Sequence, residues 1–387
     1  MFRAIAFVCV LCLPVLAFAH HGGAEYDLGK TVEFKARLTR VDLINPHSWL
    51  YFDVTEKDGK ISHHRCEMRS VHVLRRSGWT KDVFPVGQQI TLEASPNKTD
   101  PASCYLQTIL TADGTRMDRY GQYIKAQGGL KEVRGPIAPP SNNRPLRRPS
   151  GEPNISGEWA PTQQVMVDPR GTGSPMVSLT QLNDYKAGQR PANAGGGARR
   201  GGAGPGPRLY GGSELTDAGE KAAAEFKRED NPRFRCETTS IIFDWPFDGP
   251  VNRITQNKDS IVLEYGQFGL KRTIYTNIKE HPQNFKATRS GHSIGHWEGD
   301  TLVVDSVGFA PGFLNTPVRN SDKLHVVERF SLDPEKMALT RSYTAEDSVY
   351  LKGKYAGSDT VFPADASFNP GKCEELNFID YSKQQKH

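Results

Sequence analysis

Short runs of alternating apolar and polar residues, separated by glycine, proline and Asx turns, recur along most of the chain. A period of two selects strands, because a helix buries one face only when apolar residues recur every three to four positions. Val32, Phe34, Ala36 and Leu38 share one face of the run 31–41, and further runs follow at 49–54, 61–68, 88–94 and 105–111. Between Glu67 and Gly78 the spacing becomes helical at Val71, Leu74 and Arg75, with Gly78 where a helix stop belongs. Three strands, a helix and two strands is the order of an OB-like small barrel. Beyond residue 236 the runs 241–245, 260–265, 270–276, 301–309, 324–332 and 337–343 predict a larger antiparallel barrel or sandwich, with a hairpin turn at Glu298-Gly299-Asp300. The fold class expected is mainly all-β.

Composition narrows the function classes. The 37 glycines and 26 prolines fit extended loops, and a chain of 387 residues is long enough for two cores. Charged residues make up 24% and the formal net charge is only +5, with no block of one sign. No nucleic-acid groove and no stable membrane insertion are therefore expected.

The first nineteen residues read as an export leader. Arg3 opens it, Ile5 to Leu16 form an apolar run interrupted by Pro14, and Ala17-Phe18-Ala19 is a small-x-small cleavage site. The expected location is periplasmic or secreted. Cys9 and Cys12 would leave with the leader, so Cys66, Cys104, Cys236 and Cys373 remain. An even count in an oxidising compartment implies two disulfides. Three pairings exist, and the domain boundaries favour Cys66–Cys104 with Cys236–Cys373.

The plan is then an OB-like domain over 20–120, a Pro/Arg-rich linker over 121–152, and a barrel domain over 153–387. Pro136, Pro139, Pro140, Pro145 and Pro149 punctuate the linker, and Arg144, Arg147 and Arg148 keep it solvated. The tract 188–212, with AGGGARRGGAGPGP at its centre, is a low-complexity insert within the second domain. Thr216 suits the N-cap of a short helix whose body runs from Ala218 to Phe226.

With these residues in view, two resemblances stand out. His20-His21 together with Asn45-Pro46-His47-Ser48-Trp49 resembles an exported bacterial family of unknown function, DUF6152, over roughly 20–120. The C-terminal part is similar to a widespread family of exported bacterial domains. The resemblance rests on Ser156-Gly157-Glu158-Trp159, Arg235-Cys236-Glu237, His281-Pro282, GHSIGHWEGDTLVVDSVGF (291–309) and His325-Val326-Val327-Glu328-Arg329-Phe330. Neither resemblance implies an activity. The Gly-Glu-Trp element is also similar to the G-x-W of lipocalin-like barrels.

Three groups of residues can carry chemistry. Cleavage after Ala19 makes His20 the first residue, and its α-amine, titrating near pH ~8, can chelate a metal together with its own imidazole. A third nitrogen from His47, His63, His64 or His72 would complete a nitrogen-only site suited to copper. The plainer reading is a loose terminus. His292 and His296 are four apart, which on a strand puts them about 13 Å apart and excludes a shared metal ion. Strand alternation offers a better signal, since Asp305, Glu328 and Arg272 each fall on an apolar face, and buried charges need partners. An Arg272–Asp305–Glu328 cluster inside the second barrel is the expectation, with His292, His296 and His325 as candidate bases and Tyr275 and Trp297 lining a ligand. The plainer reading of the same cluster is a structural ion-pair network with no substrate.

Two functions follow as expectations. One is an exported binding or accessory protein holding a small apolar ligand in the second barrel, with copper at the mature N-terminus. The other is a cofactor-free hydrolase, lyase or isomerase acting through His292 or His296 with Asp305 or Glu328. A role as structural partner of another exported protein, through the proline-rich linker, is a third.

Overall fold

The computed structural model describes residues 25–76, 79, 81–112, 114–119, 123–125, 145–162, 164–166, 176–178, 211–247, 249–364 and 366–375. The leader, His20, His21, Gly78 and most of the glycine-rich tract lie outside them. Nearly all regular structure is strand, as the period-two patterning requires.

The first barrel is built from β1 (Val32–Asp42), β2 (Trp49–Thr55), β3 (Ile61–Glu67), α1 (Val71–Arg76), β4 (Gln89–Pro96) and β5 (Ser103–Thr111). Antiparallel pairings run in the order β3-β2-β1-β4-β5, and a parallel β3–β5 pairing closes five strands into a barrel. The helix falls between the third and fourth strands, so the OB-like order is the one observed. Leu38, Leu50, Phe52, Leu92, Leu106 and Ile109 fill its core. Cys66 and Cys104 are register partners across the closing pair and form one disulfide. The sheet continues past the barrel through β6 (Thr115–Asp118) and β7 (Tyr123–Lys125). Residues 123–125, read as linker from composition, are thus paired strand.

The second barrel closes nine strands in the order β11-β12-β13-β14-β15-β18-β19-β20-β8. These are β8 (Gly157–Ala160), β11 (Asn252–Gln256), β12 (Ser260–Glu264), β13 (Lys271–Tyr275), β14 (His292–Glu298), β15 (Thr301–Val307), β18 (His325–Asp333), β19 (Ala338–Glu346) and β20 (Tyr355–Pro363). Two hairpins lie outside the barrel, β9 (Gln164–Met166) with β10 (Met176–Ser178) and β16 (Gly312–Asn315) with β17 (Val318–Asn320). The helix α2 (Asp217–Ala224) starts where expected, with Thr216 Oγ1 accepting from Gly219 N at 3.1 Å.

Every pairing in the second barrel is antiparallel except β13–β14, which is parallel. The second barrel is thus antiparallel as expected but for this one pair, and the exception has a consequence for the surface. Parallel neighbours cannot be joined by a tight hairpin and need a crossover. Residues 276–291 supply it over the barrel's outer face, pinned there by Thr288 N to Gly308 O (3.1 Å) and Ala310 N to Thr288 O (2.8 Å).

Linker and interface residues also depart from composition. Arg147 does not stay solvated alone but grips Asp300 through both guanidinium nitrogens (2.9 and 2.6 Å), and Arg148 donates to Gln256 O at 2.6 Å. The two barrels meet at the Asn45-Pro46-His47 loop. Asn45 N donates to Lys372 O (3.2 Å), Glu374 N donates to Asn45 O (3.0 Å), and Asn45 Nδ2 donates to Pro370 O and Lys372 O. The strap 369–374 is tied to the second barrel by the Cys236–Cys373 disulfide. Gly249, at φ +111°, lets the chain approach Val73, since a Cβ there would sit 2.6 Å from Val73 Cγ2.

Candidate functional site

Register decides which side chains meet. Val304 pairs with Glu328 and Ser306 with Val326, so Leu302, Val304 and Ser306 face inward beside Val326, Glu328 and Phe330. Asp305 sits between Val304 and Ser306 and must point outward. The expected Arg272–Asp305–Glu328 cluster is therefore corrected, because Arg272 and Glu328 meet inside the barrel while Asp305 lies on its outer surface.

Inside, Arg272 Nη2 is 2.5 Å from Glu328 Oε2, and its Nε and Nη2 donate to Ser293 Oγ (2.9 Å) and Ser306 Oγ (2.7 Å). Arg341 Nη1 donates to Glu328 Oε1 at 3.0 Å and Nη2 to Asp359 Oδ2 at 2.6 Å. Arg272, Glu328 and Arg341 are at most 1% exposed. Burial pushes the Glu328 carboxyl up, but the two guanidiniums outweigh it and hold it below its ordinary range. The segment around Ile241 enters the barrel, since Arg341 donates to Ile241 O and Ile242 O at 2.8 Å each. Trp245 from the same segment packs edge-on against Tyr265 and Phe330. The interior is thus a charged and aromatic core. Arg272 and Glu328 are closed off from solvent among the described residues, and Trp297 packs partly against that core.

Outside, a second cluster assembles. His292 pairs with Val307 on β15, and Val327 of β18 pairs with Asp305, so His292 and His325 each lie one diagonal step from Asp305 on the flanking strands. Diagonal neighbours stand ~7–8 Å apart. His325 spans its gap directly, with Nε2 3.0 Å from Asp305 Oδ2. His292 does not, and the crossover supplies the bridge. His281 places Nε2 3.0 Å from Asp305 Oδ1 and Nδ1 2.8 Å from His292 Nδ1. Tyr275 and Phe285 stack on His292 at 5.3 and 5.7 Å, with interplanar angles of 17° and 18°. Gly308 makes room for Phe285, because any Cβ there would collide with its ring.

The proton arrangement follows from the acceptors. Asp305 ionised accepts from His281 Nε2–H, which leaves His281 Nδ1 an acceptor for His292 Nδ1–H, so His292 Nε2 carries the free lone pair. Burial, then the neighbouring His281, lower the His292 pKa below its ordinary value and favour that neutral form. Asp305 and His325 are each 41% exposed, so solvent and small solutes reach the group.

His296 takes no part. It faces the same side as His292 four residues along the strand, is 65% exposed and pairs with Glu298 at 3.1 Å. His281, Arg341 and Asp359 were missed from sequence. Arg341 was findable, since Leu339, Arg341 and Tyr343 share a strand face. His281 carried no periodic signal because it lies in a crossover.

The first barrel holds a smaller group. His47 Nδ1 is 2.8 Å from Glu67 Oε1, off the line of an ideal hydrogen bond, and Tyr26 donates to Glu67 Oε2 at 2.8 Å. Burial, then the charge of Glu67, hold the Tyr26 hydroxyl well above its ordinary pKa. Among the described residues no three His, Cys, Asp or Glu side chains are grouped to hold one metal ion.

These features define a two-barrel, disulfide-stapled β protein. Residues 7–104, which take in β1 to β4 and the start of β5, match the model of a family of unknown function, DUF6152. No curated protein and no solved structure matches the chain. Both disulfides fit an oxidising, exported setting, and no described helix is long and apolar enough to cross a membrane.

Proposed function

We propose that the protein is exported to the periplasm or beyond, is freed there of residues 1–19, and handles a small molecule on the outer face of its second barrel by proton transfer. The reaction class is cofactor-free hydrolysis, elimination or isomerisation, with His292 Nε2 as the base. The observation that carries this reading is the Asp305–His281–His292 chain, with contacts of 3.0 and 2.8 Å. A carboxylate that orients one imidazole, which then orients a second, fixes the tautomer of the second and leaves its Nε2 lone pair unprotonated and free to accept a proton. His325, on the other oxygen of Asp305, is the partner acid. The ligand moves from the interior, where the sequence suggested an apolar pouch, to this surface, because fully buried ion pairs occupy the positions that would have lined it.

Turnover of a panel of activated esters and enolisable ketones tests the reading. The wild-type protein should turn over at least one member, H292A and D305N should lose at least tenfold, and H296A should not change. No turnover above H292A on any member, or turnover indifferent to both variants, overturns it.

A further inference from the structure

The outer wall of the second barrel is polar along β19, where Thr340, Ser342, Thr344 and Glu346 face away from the core. A wall that meets water is built that way. Around His292 it is not. Ile294 and Val327 are the register partners of Asp305, and Val307 is the partner of His292, so all three point outward with them. Val303, two residues before Asp305, lies on the same face. These four aliphatic side chains form an apolar strip about 10 Å across three strands and about 13 Å along β15. His296 and Arg329, both partners of Val303 and both paired with Glu298, close one end of it. Polar β19 borders it beyond Val327.

Aromatic rings stand at the other end. Tyr275 and Phe285 are 39% and 37% exposed, although each lies nearly parallel to the His292 imidazole. Tyr275 continues the strip as the register partner of Ile294, and Phe285 is seated against Gly308, the residue after Val307. A flat ring laid on either side chain joins a stack that already holds the imidazole, at the spacing of ~4.5–7 Å that offset stacking prefers. A saturated ring of the same size gains burial but no stacking. The strip is too small for a macromolecular partner, since a stable protein interface covers roughly 800 Å² a side. The charge that His281 and His325 hold is the Asp305 carboxylate, which disfavours an anionic ligand.

We infer that Tyr275 and Phe285 are the specificity-determining residues of this outer-face site, and that its substrate class is neutral aryl carbonyl compounds. The two side chains hold the aromatic ring, and the strip from Ile294 to Val327 takes the rest of the apolar surface. Stacking of this kind discriminates about two- to tenfold per ring. The inference deepens the function proposed above and rests on it for the reaction, though not for the binding.

The test is equilibrium binding of two neutral ketones of closely similar size, acetophenone and cyclohexyl methyl ketone, to the full-length protein. It is read from the imidazole proton resonances of His292, assigned by comparison with H292A. Acetophenone should bind at least fivefold more tightly than the saturated ketone and shift those resonances. Benzoate, with the same ring and a negative charge, should bind more weakly than acetophenone. Tyr275→Leu combined with Phe285→Leu should close the gap between the ketones to within twofold, and Tyr275→Phe should keep it. Both rings are exposed, and an unchanged thermal midpoint checks that each variant is folded. Equal affinity for the two ketones, benzoate binding as tightly as acetophenone, no shift at His292, or a preference that survives the double substitution overturns the inference. Selective binding of acetophenone without turnover of any ester or ketone would sink the proton-transfer reading and leave the aryl subsite standing, so the two failures are told apart.

Discussion

Glu328→Gln is the sharpest probe of how the second barrel is held together. The substitution keeps shape and removes one negative charge between two guanidiniums, at 2.5 Å from Arg272 Nη2 and 3.0 Å from Arg341 Nη1. At an effective dielectric of about 20, each such contact is worth roughly 4 kcal/mol, so about 8 kcal/mol of attraction is lost. Burying the carboxylate costs several kcal/mol that the variant no longer bears, which leaves a net loss of about 3–5 kcal/mol. In a domain of this size that corresponds to roughly 6–20 °C in melting temperature. Urea denaturation at pH 7, followed by tryptophan fluorescence, measures it, since Trp159 and Trp245 report on the same core. Arg329→Gln is the control, because it breaks the 2.6 Å pair with Glu298 on the outer face of the same strand and should change little. The Glu328 carboxyl is held below its ordinary pKa, so its contribution is present above the unfolded value and is lost as pH falls through the folded one. A loss below about 1 kcal/mol for Glu328→Gln, or equal effects of the two variants, would refute the view that the interior pair is structural.

Two further outcomes are expected. Burial pushes the Asp244 carboxyl up to about 7, although it accepts from Thr239 N and Ser240 N. The folded protein therefore holds a proton that the unfolded chain has released between about pH 4 and 7, and stability falls as pH rises through that window. Asp244→Asn should flatten this decline, measured as denaturation midpoints at pH 5 and pH 8; an unchanged slope would count against it. Replacing Cys236 and Cys373 by serine opens a loop with a sequence separation of 137. Chain entropy alone predicts a loss of about 5 kcal/mol. Amide exchange should rise at Asn45 and Glu374, and unchanged protection there would show that the disulfide does not secure the strap against the first barrel.

Much of the fold was legible because its signals are local. Val32 to Leu38 alternate cleanly, the helix at 71–76 interrupts them, and the order of elements then leaves little but an OB-like closure. The disulfide pairing followed from the domain boundaries alone. The site was legible only in part. His292, His325 and Asp305 were named from sequence and do converge, but on the opposite side of the wall from Glu328. Alternation gives a strand's phase relative to itself, and both faces of 302–309 are apolar, so nothing local says which faces in. The parallel β13–β14 pairing was equally hidden. It is a long-range choice, and it alone explains why a crossover carries His281 to the diagonal gap between His292 and Asp305.

Strand β15 shows how one sequence can meet two demands at once. Its inward residues, Leu302, Val304 and Ser306, are completely buried, and Ser306 accepts from Arg272. Its outward residue Asp305 is 41% exposed and receives two histidines. Because the strand period is two, the two sets can change independently: a substitution at Ser306 acts on the core and one at Asp305 on the surface cluster. The barrel wall thus separates the ion-paired core from the exposed histidine cluster by a single residue. A polar interior need not mark a binding cavity, and the buried Arg272–Glu328–Arg341 network instead supplies a rigid wall on which an exposed imidazole chain can be held to hydrogen-bond distance.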